Sequence, residues 1–88
     1  MGVPEDINWL KENRKRFRIF AAIATKKASK IRELKDRLSI EDWWPVKLYV
    51  KELVDRGLIV EVDGSCRLTE GGQKVLESLL AVRELETI

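Results

Sequence analysis

Residues 42–69 read DWWPVKLYVKELVDRGLIVEVDGSCRLT, and this stretch decides the fold. Pro45 cannot lie in the interior of a helix, so a helix must begin just before it, between Asp42 and Trp44. Gly57 is predicted to end this helix in a left-handed conformation. The inward face of the helix is predicted at apolar positions with helical spacing: Val46, Tyr49, Val50, Leu53 and Val54.

Residues 58–68 are predicted to form a β-hairpin. A two-residue turn at Asp63-Gly64 would place Glu61 opposite Cys66 and bring a charge into an apolar face. A three-residue loop over Asp63-Gly64-Ser65 keeps polar and apolar side chains apart through these pairs: Val62 with Cys66, Val60 with Leu68, and Glu61 with Arg67. We therefore expect the three-residue loop.

Upstream of this stretch, apolar spacing predicts a first helix over residues 6–26, with a break near Asn13. The basic residues between its apolar positions are expected to form a solvated face: Lys11, Arg14, Lys15, Arg16 and Arg18. A short second helix is predicted from Ser29, its N-cap, to Leu38, and residues 39–42 form the turn before the third helix.

Downstream of the hairpin, Thr69 is predicted to cap a last helix whose apolar stripe runs from Val75 to Leu85. Residues 1–88 are therefore predicted to form a single domain with a core at about 16–80, in which both terminal helices carry surplus apolar surface. We expect this surface to build a homodimer through these residues: Ile7, Trp9, Leu10, Leu79, Val82 and Leu85.

Charge is segregated along the chain. The 88 residues hold 17 Lys and Arg against 15 Asp and Glu, a net charge of +2. Residues 11–37 alone carry eleven basic and three acidic side chains, or +8, whereas residues 38–88 carry −4. An imbalance of this size predicts a phosphate-bearing partner at one end of the molecule.

Several function classes are excluded or disfavoured by what the sequence lacks. It contains no histidine and one cysteine, Cys66, so a Cys and His zinc site or a Ser-His-Asp triad cannot be assembled. We expect no enzyme, metal or cofactor. One thiol forms no internal disulfide, which favours the cytoplasm. We expect neither a signal peptide nor a membrane span, because the first residues lack the basic start and apolar core of a signal peptide and no apolar run reaches about 18 residues. Few side-chain amides beside abundant Glu, Lys and Arg are typical of thermophiles.

Residues 50–59, VKELVDRGLI, and 67–76, RLTEGGQKVL, resemble winged helix-turn-helix transcriptional regulators of archaea and bacteria, MarR-like and ArsR-like ones especially. The resemblance implies a fold that is mainly α with a small β-hairpin wing: a three-helix core, the hairpin and a C-terminal helix. It also implies a small transcriptional regulator, here from a thermophilic archaeon, that binds double-stranded DNA at the nucleoid in the cytoplasm.

In that family the third helix enters the major groove, and the start of the second helix clamps a phosphate. The resemblance therefore implies DNA-binding residues on both helices and the wing: Lys26, Lys27, Ser29, Lys30, Arg32, Trp44, Lys47, Lys51 and Arg67. The outward face of the third helix offers no Arg, Asn or Gln, which argues against high sequence specificity. Because the wing tip is short and acidic, we expect little wing contact.

Two alternatives remain open from the sequence. Winged helices also serve as protein-docking modules, here within a transcription or replication assembly, and Trp44 and Leu48 would form the docking patch. At least one of Trp43 and Trp44 is expected to pack into the turn, while the other is exposed. Cys66 is expected to pack beneath the wing as a small apolar residue, with a redox-sensor role as the alternative.

Overall fold

The computed structural model describes residues 2–37 and 43–82, apart from the side chain of Trp43. These residues form five helices and one antiparallel hairpin: α1 Val3–Lys11, α2 Arg14–Ala24, α3 Ile31–Arg37, α4 Trp43–Asp55, β1 Ile59–Val62, β2 Ser65–Leu68 and α5 Glu70–Ala81. The mainly α architecture with a hairpin wing is confirmed. The predicted turn at 39–42, the end of the second helix at Leu38, and Leu85 lie outside the described residues.

The predicted first helix is two helices, α1 and α2, and the break at Asn13 is confirmed. Asn13 caps α2: its Oδ1 accepts from the backbone N–H of Arg16 at 3.1 Å. Its Nδ2 donates to the hydroxyl of Tyr49 on α4 at 3.3 Å. The break is thus held by one residue that caps α2 and ties it to α4.

The end of α4 and the start of α5 are joined by caps that the sequence predicted. Gly57 has φ of 83°, and the N–H of Leu58 donates to the carbonyl of Leu53 at 3.1 Å, as in a Schellman motif. Thr69 Oγ1 accepts from the N–H of Gly72 at 3.0 Å and donates to the carbonyl of Gly57 at 2.5 Å. One threonine therefore caps α5 and fixes it against the end of α4.

The core is built around α2, whose apolar residues are buried almost all the way round. The largest fully buried side chains come from the helices, from β1 and from the turn before it: Leu10, Ile19, Phe20, Leu34, Val46, Leu53, Leu58, Ile59, Val75 and Leu79. On α4, Val46, Val50 and Leu53 are buried as predicted. The prediction was wrong for Val54, which is exposed because it lies about 100° around the helix from Leu53.

The predicted hairpin register was wrong. The strands pair Ile59 with Leu68, Val60 with Arg67, Glu61 with Cys66, and Val62 with Ser65, so the loop has two residues. Both loop residues have positive φ, 53° at Asp63 and 81° at Gly64, which fits the type I′ turn that Asp-Gly favours. The turn chemistry therefore determined the register, and Val60 and Val62 remain exposed on the wing.

Arg16 was placed on the solvated face by the sequence, and this was also wrong. It is 8% exposed. Its guanidinium forms an ion pair with Glu52 of α4 at 3.0 Å, donates to the carbonyl of Trp9 and lies 3.8 Å from the centroid of the Trp9 ring. Arg56 lies 4.7 Å from the same centroid and pairs with Asp6 at 2.9 Å. These contacts bind α1 to α2 and to the end of α4.

The predicted dimer surface is largely part of the domain itself. Leu10 and Leu79 are both 0% exposed, because α1 packs on α5, and they cannot form a contact between two copies. Ile7 and Trp9 are half-buried against the same core. Of the six predicted residues only Val82 is described as exposed.

Replacing Arg16 by methionine should lower the free energy of unfolding by about 2 kcal/mol, because the change leaves Glu52 and the Trp9 carbonyl without their donor. The matched change Arg18→Met, at an exposed position of α2, should stay within about 0.5 kcal/mol of the wild type. Urea denaturation followed by circular dichroism measures both. Equal effects of the two changes would contradict the buried role of Arg16.

Candidate nucleic-acid interface

The outward face of α4 holds the residues that this helix was predicted to use on DNA, Trp44, Lys47 and Lys51. Together with Leu48 and Asp55, they follow helical spacing on the side opposite Val46, Val50 and Leu53. All five are exposed, with Trp44 at 70% and Leu48 at 46%. The prediction that one tryptophan of the pair is exposed is thus confirmed for Trp44, whereas the side chain of Trp43 lies outside the described part of the chain.

An acidic residue on this face pairs with one of its two lysines. Asp55 Oδ2 accepts from Lys51 Nζ at 2.9 Å, one helical turn away. The hydrogen bond and charge of Asp55 raise the pKa of the Lys51 ammonium, which stays fully protonated at neutral pH. A phosphate or base that approaches Lys51 therefore competes with Asp55. The spacing of four residues could have revealed this pair in the sequence.

The predicted phosphate clamp lies at the start of α3, which is the second of the helices predicted from the sequence. A side chain already occupies it. Glu33 Oε1 accepts from the backbone N–H of Lys30 at 3.0 Å and from that of Ser29 at 3.1 Å. These two amides, that of Lys30 first, hold the pKa of Glu33 below its ordinary value. The predicted N-cap was one residue early, because α3 begins at Ile31 and the Glu33 carboxylate reaches back to the amides of both Lys30 and Ser29.

Three other predicted DNA-contact residues meet in one cleft. Lys26, Ser29 and Arg67 line a cavity of about 460 Å³ between the end of α2 and the wing. The remaining lining residues are Ile23, Ala24, Cys66, Leu68 and Gln73. The segment before α3 is fixed to the wing here, since Cys66 N–H donates to the carbonyl of Ser29 at 2.7 Å. The cleft therefore has an apolar floor and a cationic rim.

The other basic residues extend this cationic surface. Lys27, Lys30 and Arg32 are exposed around the start of α3. Lys26 follows Thr25, the C-cap of α2, and has φ of 60°, a conformation that usually favours glycine. This turn leads the chain from α2 towards the wing. The wrong register had placed Arg67 opposite Glu61, whereas the strands pair it with Val60. Its guanidinium is therefore not paired with a cross-strand carboxylate.

Cys66 packs beneath the wing, as predicted, and is 4% exposed. Burial raises the pKa of its thiol to about 11, and the cross-strand carboxylate of Glu61 acts in the same direction. A redox-sensing cysteine needs a thiolate near neutral pH, so this environment argues against the redox alternative.

The described segments contain neither a cluster of metal-ligating side chains nor a helix that could span a membrane. Within residues 2–37 and 43–82, no group of three or more His, Cys, Asp or Glu side chains could hold a metal ion. No helix among these residues is both long and apolar enough to span a bilayer.

Comparison with known proteins assigns the family. The family model for the winged helix-turn-helix matches residues 13–87, which begin at the cap of α2 and include α2–α5 and the hairpin. The chain is a member of the winged helix-turn-helix family. No curated protein and no solved structure matches it. Membership of this winged-helix family indicates DNA binding, and α1 lies ahead of the matched region.

The thiol of Cys66 should react with a disulfide reagent at pH 8 roughly 100-fold more slowly in the folded chain than in urea, from the difference in thiolate fraction alone. The rate in the folded chain should keep rising up to about pH 11. Because Cys66 is the single cysteine, thiol absorbance reports on it alone. Equal rates in the two states would contradict the buried, protonated thiol.

Proposed function

We propose that this winged-helix chain binds duplex DNA by placing the outward face of α4 in the major groove, and that it acts as a small transcriptional regulator. The observation that carries the proposal is the exposure of Lys47 and Lys51 directly opposite the buried stripe of α4. A helix anchored along one side presents the other side as a rigid surface, and the major groove admits one α-helix.

Cationic side chains beside α4 supply the phosphate contacts. Residues 11–37 carry a net charge of +8, and their exposed members include Lys26, Lys27, Lys30 and Arg32. Because Glu33 already engages the amides at the start of α3, these contacts come from side chains and not from the helix terminus. Arg67 on the wing adds a further cation beside Lys26.

The remaining expectations about biological role stand as predictions. The likeness to MarR-like and ArsR-like regulators, the thermophilic archaeal origin, the nucleoid-associated cytoplasmic location and the absence of catalysis follow from sequence features alone. The homodimer also stays a prediction. Of the residues predicted for the dimer interface, Leu10 and Leu79 are buried in the core, and Val82 is the one described as exposed.

A docking module is the competing function, and the exposure of Trp44 and Leu48 favours it. A partner protein on this patch would have to cover Lys47 and Lys51 as well, which costs desolvation of two ammonium groups unless the partner is acidic. Duplex DNA meets both requirements of the face, because it brings phosphates to the lysines and apolar groups to the groove.

Binding of a fluorescent duplex, measured by anisotropy over a range of salt concentrations, tests the proposal. Affinity of the wild type should fall steeply with salt, and Lys47→Ala or Lys51→Ala should each weaken binding several-fold. The slope of the logarithm of the binding constant against the logarithm of the salt concentration should be less steep in each variant. It should fall in magnitude by about one for every phosphate that the protein no longer neutralises. Lys74→Ala is the matched control, since Lys74 is also an exposed lysine with an acidic neighbour one turn away, Glu70 at 3.9 Å.

The control should bind as the wild type does, within about twofold. If Lys47→Ala and Lys51→Ala bind no more weakly than Lys74→Ala, α4 is not the contact surface. If the wild type has no affinity for any duplex at low salt, the proposal of DNA binding is wrong and the result favours the docking module.

A further inference from the structure

The outward face of α4 has few groups that read a base by hydrogen bonding. Helix α4 contains no Arg, Asn or Gln, the side chains that make bidentate contacts with purines. Its two carboxylates could accept from cytosine, but both are engaged, Glu52 with Arg16 at 3.0 Å and Asp55 with Lys51 at 2.9 Å. Base recognition by this face therefore needs another kind of contact.

Apolar surface is what the face offers instead. Leu48 lies one turn after Trp44, near the middle of α4, and its side chain is 46% exposed. Lys47 precedes it, and Lys51 follows it by about one turn. In the major groove, the apolar group that distinguishes one base pair from the others is the C5 methyl of thymine. A leucine held at the floor of the groove by flanking lysines would contact this methyl group.

We infer that Leu48, with Trp44 beside it, reads thymine through the C5 methyl group and so gives this protein a preference for A·T pairs. The inference rests on the proposed function, because it requires α4 to enter the major groove. Charge complementarity identifies the occupant of the apolar patch as DNA: exposed cations flank it on α4, and the +8 segment lies in the helices that precede it.

The test compares duplexes that differ only in methyl groups. An alternating dA-dT duplex is compared with an alternating dA-dU duplex of the same length, which keeps every hydrogen bond and removes each C5 methyl. A second pair, alternating dG-dC with and without 5-methylcytosine, adds a methyl at the same place in the groove. Wild type should bind the methylated member more tightly in both pairs, by about fourfold for each methyl group that Leu48 covers fully.

Variants assign the preference to Leu48. Leu48→Ala should lose most of the wild-type preference for the dA-dT over the dA-dU duplex while keeping the salt dependence of the wild type. Leu80→Ala makes the same chemical change at an exposed position of α5 and should keep the full ratio of the two affinities. Since any difference in stiffness between the duplexes acts on both variants alike, the change of ratio isolates the contact. Thermal unfolding verifies that both variants fold.

Each other outcome has a distinct meaning. If wild type binds dA-dT and dA-dU duplexes equally, thymine recognition is wrong, although the proposed function stands. If Leu48→Ala keeps the full preference, another residue or the duplex shape is responsible and the inference is overturned. If no duplex binds at low salt, the proposed function fails and this inference fails with it.

Discussion

Burial of one side of α4 is the constraint on which the candidate interface depends. Val46, Val50 and Leu53 are almost fully buried in the core, so neither the rotation nor the position of the helix can change without exposing them. The caps at Gly57 and Thr69 fix where the helix ends and tie it to α5. A helix held in this way presents Trp44, Lys47, Leu48 and Lys51 outward as one rigid surface.

Some of the basic side chains stabilise the fold, and others are exposed at the candidate interface. Arg16 belongs to the fold, where Glu52 and the Trp9 ring hold it, and it contributes little to an external field. Asp55 and Glu33 lie within the candidate interface, pairing with Lys51 and with the amides before α3. Binding of a polyanion here is therefore a competition, which fits a protein whose affinity depends strongly on salt and whose sequence specificity is modest.

Local signals in the sequence predicted most of the fold, and long-range contacts account for what they missed. Pro45, Gly57 and Thr69 fixed the ends of α4 and the start of α5, because each constrains its own backbone. The hairpin register failed because side-chain segregation was weighed above the preference of Asp63-Gly64 for a two-residue turn. The partners of Arg16 are distant in sequence, although its spacing of four residues from Phe20 already indicated the buried face. Likewise, nothing local shows that α1 covers α5, so buried Leu10 and Leu79 were read as a dimer surface.

The central claim is that the outward face of α4 contacts duplex DNA. A titration of the 10.2 kDa chain with an alternating dA-dT duplex, followed through backbone amide chemical shifts, tests it most directly. We expect the largest shifts at low salt at residues 44–51 and around the start of α3, while the outer face of α5 near Lys74 stays unchanged. Shifts concentrated on α5 or α1, with residues 44–51 unaffected at saturation, would contradict it.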